Sequence, residues 1–591
     1  MRRVACDDVV VQGITRSDRE LLDAQALVGE LVPEGSVFAF LAEHRHELFP
    51  DSFIADLFAS STGRPSLPAD LIGSVLVLKE LYDLSDPQTA EALRFDIRWK
   101  VACGRALTQT SFDPSTLVYW RKRIAASDRP HRVFDAVAAI IAETGILRGR
   151  RKRCVDSTVF DDAVATQDTV TQLVAAMRKV ARLVPGAQSV IARVTRRDYA
   201  KPGKPDIDWD DPAAKQQLVS DLVNDAVAVL AELTGEDAPE REDTAANALG
   251  LLALVAGQDV EPAEGSDGTD GRWRIARKVV PDRVISVVDP QARHTRKSKS
   301  VRRDGFRGHV AAEPETGLIT DAELTSAAGE AGSDAVVGQA MIARDRFGRP
   351  QTETANPNAG GDVAPADGAA DQPGGDEAAA AAAAAGDGGE ITTGRTDSAQ
   401  ATASADQGAD LRVYGDSAYG TGAARAAYRD AGVHTVIKPK PLPPAVPGGF
   451  TLDDFTIDEQ TATVTCPGGH TRTMSPTRTV TFGAVCAHCP LRARCTTAKD
   501  GRSMSIHEHE ALLRAARAQA RTPEFKQDYP TRSMVERIIA WTATSRGRRI
   551  KLRYLGVDKN HAWLRTRCAA INLRTLVNAG LTRRDGAWAL A

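Results

Sequence analysis

Apolar positions three and four apart recur through residues 1 to about 150 and predict a mostly helical region. One helix is expected from Glu34 to Phe53, through Val37, Phe38, Leu41 and Leu48. A second follows Gly63-Arg64-Pro65-Ser66-Leu67-Pro68 and carries Leu71, Ile72, Val75, Leu76, Leu78 and Leu81 as a wide apolar stripe. A third spans Thr89 to Cys103, a fourth opens at Thr116, and a fifth runs from Val133 to Ile146. Asp86-Pro87 and Asp113-Pro114 each set a cap residue beside a proline, as helix starts do. Arg121, Lys122 and Arg123, next to Trp120, suit a phosphate backbone as well as they suit a solvated face.

The pattern changes after the basic run Arg148 to Arg153. Cys154-Val155-Asp156-Ser157-Thr158-Val159-Phe160 reads as a short strand with an acidic residue in its middle. A buried carboxylate there is costly unless it is paired or metal-bound. From Thr166 to Val260 the helical period returns, which predicts a helical insertion into a strand-containing domain. Strand signals resume at Arg283 to Asp289, followed by a basic loop from Arg293 to Arg303 that includes Lys299. Asp304-Gly305-Phe306-Arg307 then reads as a turn into a second strand, and Glu313 to Gly317 as a turn before Leu318-Ile319-Thr320. Together these predict an antiparallel meander with positive charge crowded at one connection, a place where phosphate is commonly met.

Asp334 to Phe347 is expected to be a helix capped by Ser333. Residues 348–409 are rich in Ala, Gly, Asp and Pro, too poor in large apolar side chains to order themselves, and predict a disordered surface insert. Tyr414-Gly415-Asp416 then closes a strand, Thr421 to Ala431 makes a helix, and His434 to Lys438 makes the next strand, a βαβ unit. Asp416 falls at the carboxyl end of its strand, where open α/β sheets place their chemistry.

Bulk composition narrows the class. The chain has 591 residues, 42% of them hydrophobic, enough for several domains. A net charge of -3 weighs against a nucleic-acid partner, but acidic residues crowd the low-complexity segment while Arg and Lys cluster locally. No apolar run approaches a membrane span, and Met1-Arg2-Arg3 is not followed by a signal-peptide core, so a cytoplasmic, reducing setting is expected. The eight cysteines then do not read as a disulfide framework. Cys466, Cys486, Cys489 and Cys495 supply four thiolates around a C-x-x-C pair, the pattern of a structural zinc knuckle, with His470 and His488 as substitutes.

One further stretch stands out, Tyr529 to Trp541. Pro530 suits a first helical turn, Thr531 or Asp528 suits its cap, and Val535, Ile538, Ile539 and Thr542 form an apolar stripe from Arg532 onward. Arg532 and Glu536 are four apart and share a face, with Tyr529 one turn earlier. Trp541 is expected in the core.

In combination these motifs resemble the DDE transposases of bacterial insertion sequences, specifically the IS1182-type branch of the IS4-like superfamily. Val155-Asp156-Ser157-Thr158 is similar to the first-Asp strand, Tyr414 to Gly420 to the second, and Tyr529, Arg532 and Glu536 to the Y-x2-R-x3-E signature. Gly63-Arg64-Pro65, Asp304 to Arg307 and the cysteine set also look like this branch. Ala543 departs from it, because the broader superfamily often has Lys there; Arg546, Arg548, Arg549 and Lys551 are the alternatives for that phosphate contact.

The resemblance implies an α/β protein with an RNase H-like catalytic domain, interrupted by the helical insertion and the zinc knuckle. Its expected divisions are an all-α N-terminal domain over 1–150 for DNA-end binding, the first part of the catalytic domain over 151–347 with its insertion at about 166–260, and the insert 348–409. The βαβ unit follows over 410–445, the knuckle over 446–510, and C-terminal helices bearing the catalytic Glu over 511–591. It implies catalytic Asp156, Asp416 and Glu536 holding two Mg²⁺ or Mn²⁺ ions, as hard oxygen ligands do. DNA contacts are expected at Tyr529, Arg532, Lys299, Arg303, Arg307, Lys438, Arg546 and Arg549, and structural zinc at Cys466, Cys486, Cys489 and Cys495. The implied activity is metal-dependent DNA cleavage at the terminal inverted repeats and strand transfer into target DNA. The implied assembly is a homodimer on the cytoplasmic nucleoid, without a membrane. Two other readings compete: a DDE-type endonuclease without strand transfer, and a catalytically inactive DNA-binding protein.

Overall fold

The computed structural model describes residues 10–14, 22–58, 64–235, 242–277, 280, 282–296, 302–348 and 411–591. The insert predicted over 348–409 lies outside the described residues except for Gly348, as does Lys299.

A mixed sheet organises the molecule, and its strands are numbered in chain order: β1 Lys152–Asp161, β2 Arg293–Arg296, β3 Arg302–Ala312, β4 Ile319–Ser326, β5 Arg412–Gly415 and β6 His434–Ile437. β1 pairs antiparallel with β3 along its length, from Cys154↔Ala312 to Asp161↔Gly305. Its other edge pairs parallel with β5, and β5 with β6. The far edge of β3 is shared, Phe306 to Ala312 against β4 and Arg302 to Gly305 against β2. Asp156 therefore sits mid-strand in the centre of the sheet, and Asp416 at the end of the strand beside it.

Five helices matter for the site: α1 Ala69–Leu81, α2 Asp334–Ala343, α3 Gly422–Asp430, α4 Ser533–Ala543 and α5 Val557–Asn578. The largest apolar core runs from Val37, Leu41 and Ile72 in the N-terminal helices through Phe160 and Phe306 of the sheet to Leu564 and Ile571 of α5. Buried Arg567 of α5 ties these parts together, donating to the carbonyls of Thr542, Trp541, Thr544 and Glu80. Four carbonyls around one guanidinium satisfy a cation that burial would otherwise penalise. The helical insertion, Thr169–Leu183, Ala187–Val194, Pro212–Thr234 and Asp243–Gln258, has its own core, including Leu173, Met177, Leu222 and Leu252.

Several expected elements take another form. The third predicted helix is two, Asp86–Phe95 and Ile97–Ala102, broken where Asp96 turns to cap the second. The first of these is capped by Ser85 and Gln88 in a capping box, ahead of the expected Asp86-Pro87 start. Gly63 to Pro68 is not only a lead-in, because Arg64–Pro68 pairs in parallel with Val10–Gly13. Arg283 to Asp289 is not a strand. Side chains take the place of a partner strand there, with Gln258 exchanging both hydrogen bonds with the Val284 backbone and Gln167 accepting from Val287 N–H. That satisfies buried backbone groups just as a ladder would.

Asp304-Gly305 is not a turn but part of β3. Gly305 is required by close approach, since a Cβ would lie 2.0 Å from the Phe160 carbonyl oxygen. In the C-terminal stretch the α-helix begins at Ser533, and Tyr529 to Arg532 form a 3₁₀ turn without a side-chain cap. Asp528 accepts instead from the Tyr414 hydroxyl at 2.9 Å, which pins this turn to β5. The chain ends in a hairpin, Leu581–Arg584 with Ala587–Leu590, where helices were expected. Trp588 anchors that hairpin by packing on Phe40 and by its main-chain N–H donating to Glu143 Oε1.

Candidate functional site

The 3₁₀ turn and α4 pack on the central strands and bring the last acidic motif beside the first. Val535, Ile538 and Thr542 are buried, as the apolar stripe predicts, and Arg532 and Glu536 lie beside that stripe, with Arg532 reaching Asp156 of β1. Arg532 Nη1 donates to Glu536 Oε1 at 3.0 Å, and its Nη2 lies 3.6 Å from Asp156 Oδ2. Asp156 Oδ1 accepts from the Ser157 N–H at 2.8 Å, and Asp416 Oδ1 from the Ala418 N–H at 2.8 Å. One oxygen of each aspartate is thus fixed by the main chain.

Electrostatics report the same convergence. Burial pushes the Asp156 carboxyl up to about 6, with Asp416 and Glu536 adding to the rise and Arg532 opposing it. Burial also raises the Tyr529 phenol, and Arg532, Asp416, Asp156 and Glu536 all act on it. Burial disfavours the Arg532 cation, but Asp156, Tyr529, Asp416 and Glu536 more than offset it. Three carboxylates, one guanidinium and one phenol therefore share a single local field. Among the described residues no three His, Cys, Asp or Glu side chains are already drawn together as a metal cage.

Tyr419 is the residue here that sequence reasoning passed over. It is fully buried beneath the strand ends, and burial, Asp334, Asp156 and Asp416 all raise its phenol while Ser157 lowers it. Its ring fits because α2 carries Gly338, where a Cβ would lie 2.5 Å from the ring. A tyrosine three residues from a glycine-flanked Asp is a weak signal, and only the close helix approach reveals it. His309 lies in the same layer, buried, with Nδ1 3.5 Å from Asp334 and Nε2 3.3 Å from Thr325 Oγ1.

The other expected contact residues divide by environment. Lys438 follows β6 and lines a cleft with Tyr529, while Arg546 is exposed at the turn of a hairpin after α4, Thr544–Ser545 with Arg548–Arg549. Arg549 donates to the Val159 carbonyl, and Arg303 holds Asp161 at 2.9 Å, so both brace the end of β1. Arg307 pairs with Asp334 at 3.3 Å. Of the N-terminal cluster, Arg121 binds Asp86 and covers Tyr554, and Arg123 donates to the Leu57 carbonyl, which leaves Lys122 exposed. Trp541 packs against the core between Arg537 and Arg574.

Cys466, Cys486, Cys489 and Cys495, with His470, line a small cavity of about 20 Å³ between small antiparallel strands. His488 does not line it. The four thiols are unbonded to one another, and burial together with the other three raises the Cys495 thiol, opposed by Arg502.

Two family models match this chain. "Transposase DDE domain" covers residues 464–577, including the cysteine region, Tyr529, Arg532 and Glu536, and "Transposase domain (DUF772)" covers residues 28–123 in the N-terminal helices. The protein is accordingly a transposase. It is one of the DDE transposases of insertion sequences, and this pairing of domains is typical of the IS1182 type. Comparison with curated proteins and with solved structures gives no significant match. Among the described residues no helix is long and apolar enough to cross a membrane.

Proposed function

We propose that this transposase cuts DNA at the ends of its insertion sequence and joins them to target DNA by metal-dependent phosphoryl transfer at Asp156, Asp416 and Glu536. The observation that carries this reading is one guanidinium, Arg532, pairing with both Asp156 and Glu536, carboxylates distant in sequence, while Asp416 follows the strand next to that of Asp156. The RNase H-like description of the catalytic domain draws support from the strand order β4-β3-β1-β5-β6, three antiparallel strands followed by two parallel ones.

The donor set suits a hard divalent cation, because it offers carboxylate oxygens and negative charge that Arg532 partly offsets. When bound, Mg²⁺ or Mn²⁺ would supply Lewis-acid stabilisation to the attacking and leaving oxygens of an in-line displacement. The chain's own part is positional. Main-chain donors hold one oxygen of Asp156 and of Asp416, and the other oxygen of Asp156 faces Arg532. Arg532 and Tyr529 offer donors to the phosphate beside Glu536. Water attacks the phosphodiester first, and the freed 3′-hydroxyl then attacks target DNA.

The cysteine cavity suits zinc through four soft thiolates, and the ion would hold the short strands of that region together. Joining two DNA ends calls for two copies of the chain, a dimer on cytoplasmic DNA. The test is a cleavage assay on DNA bearing the element's ends, with Mg²⁺ or Mn²⁺, for wild type and Asp416→Ala. Nicking at the end that disappears in the variant supports the reading. DNA binding without nicking in wild type sinks it in favour of an inactive DNA-binding protein, and nicking without joined products leaves an endonuclease.

A further inference from the structure

We propose that DNA lies lengthwise along the segment from Tyr529 to Arg549, seated in two basic clefts with the carboxylates between them. This rests on the carboxylate reading above and adds where the duplex runs and which cations hold it. The first cleft, about 520 Å³, is lined by Lys438, Lys440, Arg517, Arg521 and Lys526 together with Tyr529, and its one acidic lining residue is Asp453. The second, about 840 Å³, is lined by Arg546, Arg548, Arg549, Lys551 and Arg553, and its one acidic lining residue is Asp83.

Two such clefts in a chain of net charge -3 are a local concentration of positive potential that the bulk composition conceals. Their ion pairing sorts structural cations from available ones. Arg517 and Arg521 pair with Asp453, and Arg553 with Asp83, so these brace the cleft walls. Lys438, Lys440, Lys526, Arg546, Arg548 and Lys551 are exposed, and none forms an ion pair with the described residues. Six cations left unpaired around two open clefts are what a polyanion's backbone meets.

Both clefts belong to one continuous piece of chain. Tyr529 and Pro530 at its start line the first, and the hairpin that follows Ala543 lines the second, with Glu536 halfway along. At about 1.5 Å per helical residue the stretch from 529 to 543 is roughly 20 Å long. At about 3.4 Å per step that spans about six base pairs, short enough for one duplex to enter both clefts with a phosphate at the carboxylates.

The test is fluorescence anisotropy of the full chain with a 30-base-pair duplex of arbitrary sequence, titrated at several KCl concentrations. Removing one cation that neutralises a phosphate should flatten the log–log salt slope by about 0.9. Lys438→Ala/Lys440→Ala/Lys526→Ala should therefore flatten it by about 2–3, and Arg546→Ala/Arg548→Ala by about 2. Lys215→Ala/Arg429→Ala, elsewhere on the surface, should leave it unchanged. One duplex per chain at saturation is expected. An unchanged slope in either cleft variant, equal flattening in the control, or two duplexes per chain overturns the proposal. Nicking is scored separately, so a chain that binds along the track and never nicks upholds the track while the enzymatic reading falls.

Discussion

Arg532 stands 3.6 Å from Asp156 and bonds Glu536 at 3.0 Å, so one guanidinium joins the first and last acidic motifs of the chain. Its side chain is mostly buried, whereas that of Glu536 is 61% exposed. The pair with Glu536 is therefore weak support for stability. Its value is positional, since it keeps a cation beside carboxylates that a phosphate must approach.

Replacing that cation should affect catalysis more than folding. Arg532→Ala and Arg532→Lys are both expected to lower the cleavage rate by about 100-fold, a loss of ~3 kcal/mol, because lysine lacks the planar fork that spans two oxygens. Single-turnover nicking rates at saturating DNA measure this. A lysine variant at wild-type speed would refute the geometric role.

Asp156 should trade stability for function. Its folded pKa of about 6 lies above the ordinary 3.8, so ionisation favours unfolding and stability falls as pH rises through that window. At pH 7 the penalty is at most ~3 kcal/mol, less what solvent at the site relieves. Asp156→Asn is expected to abolish nicking and to raise the melting temperature by a few degrees at pH 7, with little effect at pH 4. Differential scanning fluorimetry at both pH values checks this.

The imidazoles of His131 and His561 are stacked at 4.8 Å between the N-terminal helices and α5. Burial pulls both pKa values down to about 4, helped for each by Arg565. A depressed histidine contributes stability that is fully present above pH 6.5 and is lost as pH falls toward 4. Urea midpoints should drop between pH 7 and pH 5, and His561→Phe should shrink that drop. A drop of the same size in the variant would place the acid sensitivity elsewhere.

Gly348 and Leu411 flank the insert and pack against each other, since a Cβ on Gly348 would lie 2.7 Å from Leu411 Cδ1. The chain leaves and re-enters the fold at one place. Replacing residues 349–410 by a short Gly/Ser linker is expected to keep the melting temperature within about 2 °C, because loop-closure entropy changes slowly with length. A large loss of stability would mean that the insert packs on the rest of the chain.

Purified protein is expected to carry one zinc ion, measured by mass spectrometry. Cys489→Ser should lose it and become sensitive to limited proteolysis within residues 446–510, because a region this small has little other core. Full zinc content in that variant would exclude the thiolate site.

Local structure was legible in the sequence where it is written in short spacings. The strand bearing Asp156, the strand end before Asp416, the i,i+4 relation of Arg532 and Glu536 and the C-x-x-C pair Cys486 and Cys489 each depend on neighbours within a few residues. The apolar period also located the helices of the N-terminal region and the insertion. Long-range partners decided the rest. Residues 283–289 have strand-like composition, but glutamine side chains from the insertion satisfied their backbone, so no ladder formed. Asp304-Gly305 has turn composition, but its cross-strand neighbour Phe160 made it a strand. Cationic runs look alike in sequence, and only packing shows that Arg121, Arg123, Arg303 and Arg549 are engaged while Lys440, Lys526 and Arg548 stay available. Side-chain pairing depends on distance in space, and the chain's order along its length does not encode that distance until it folds.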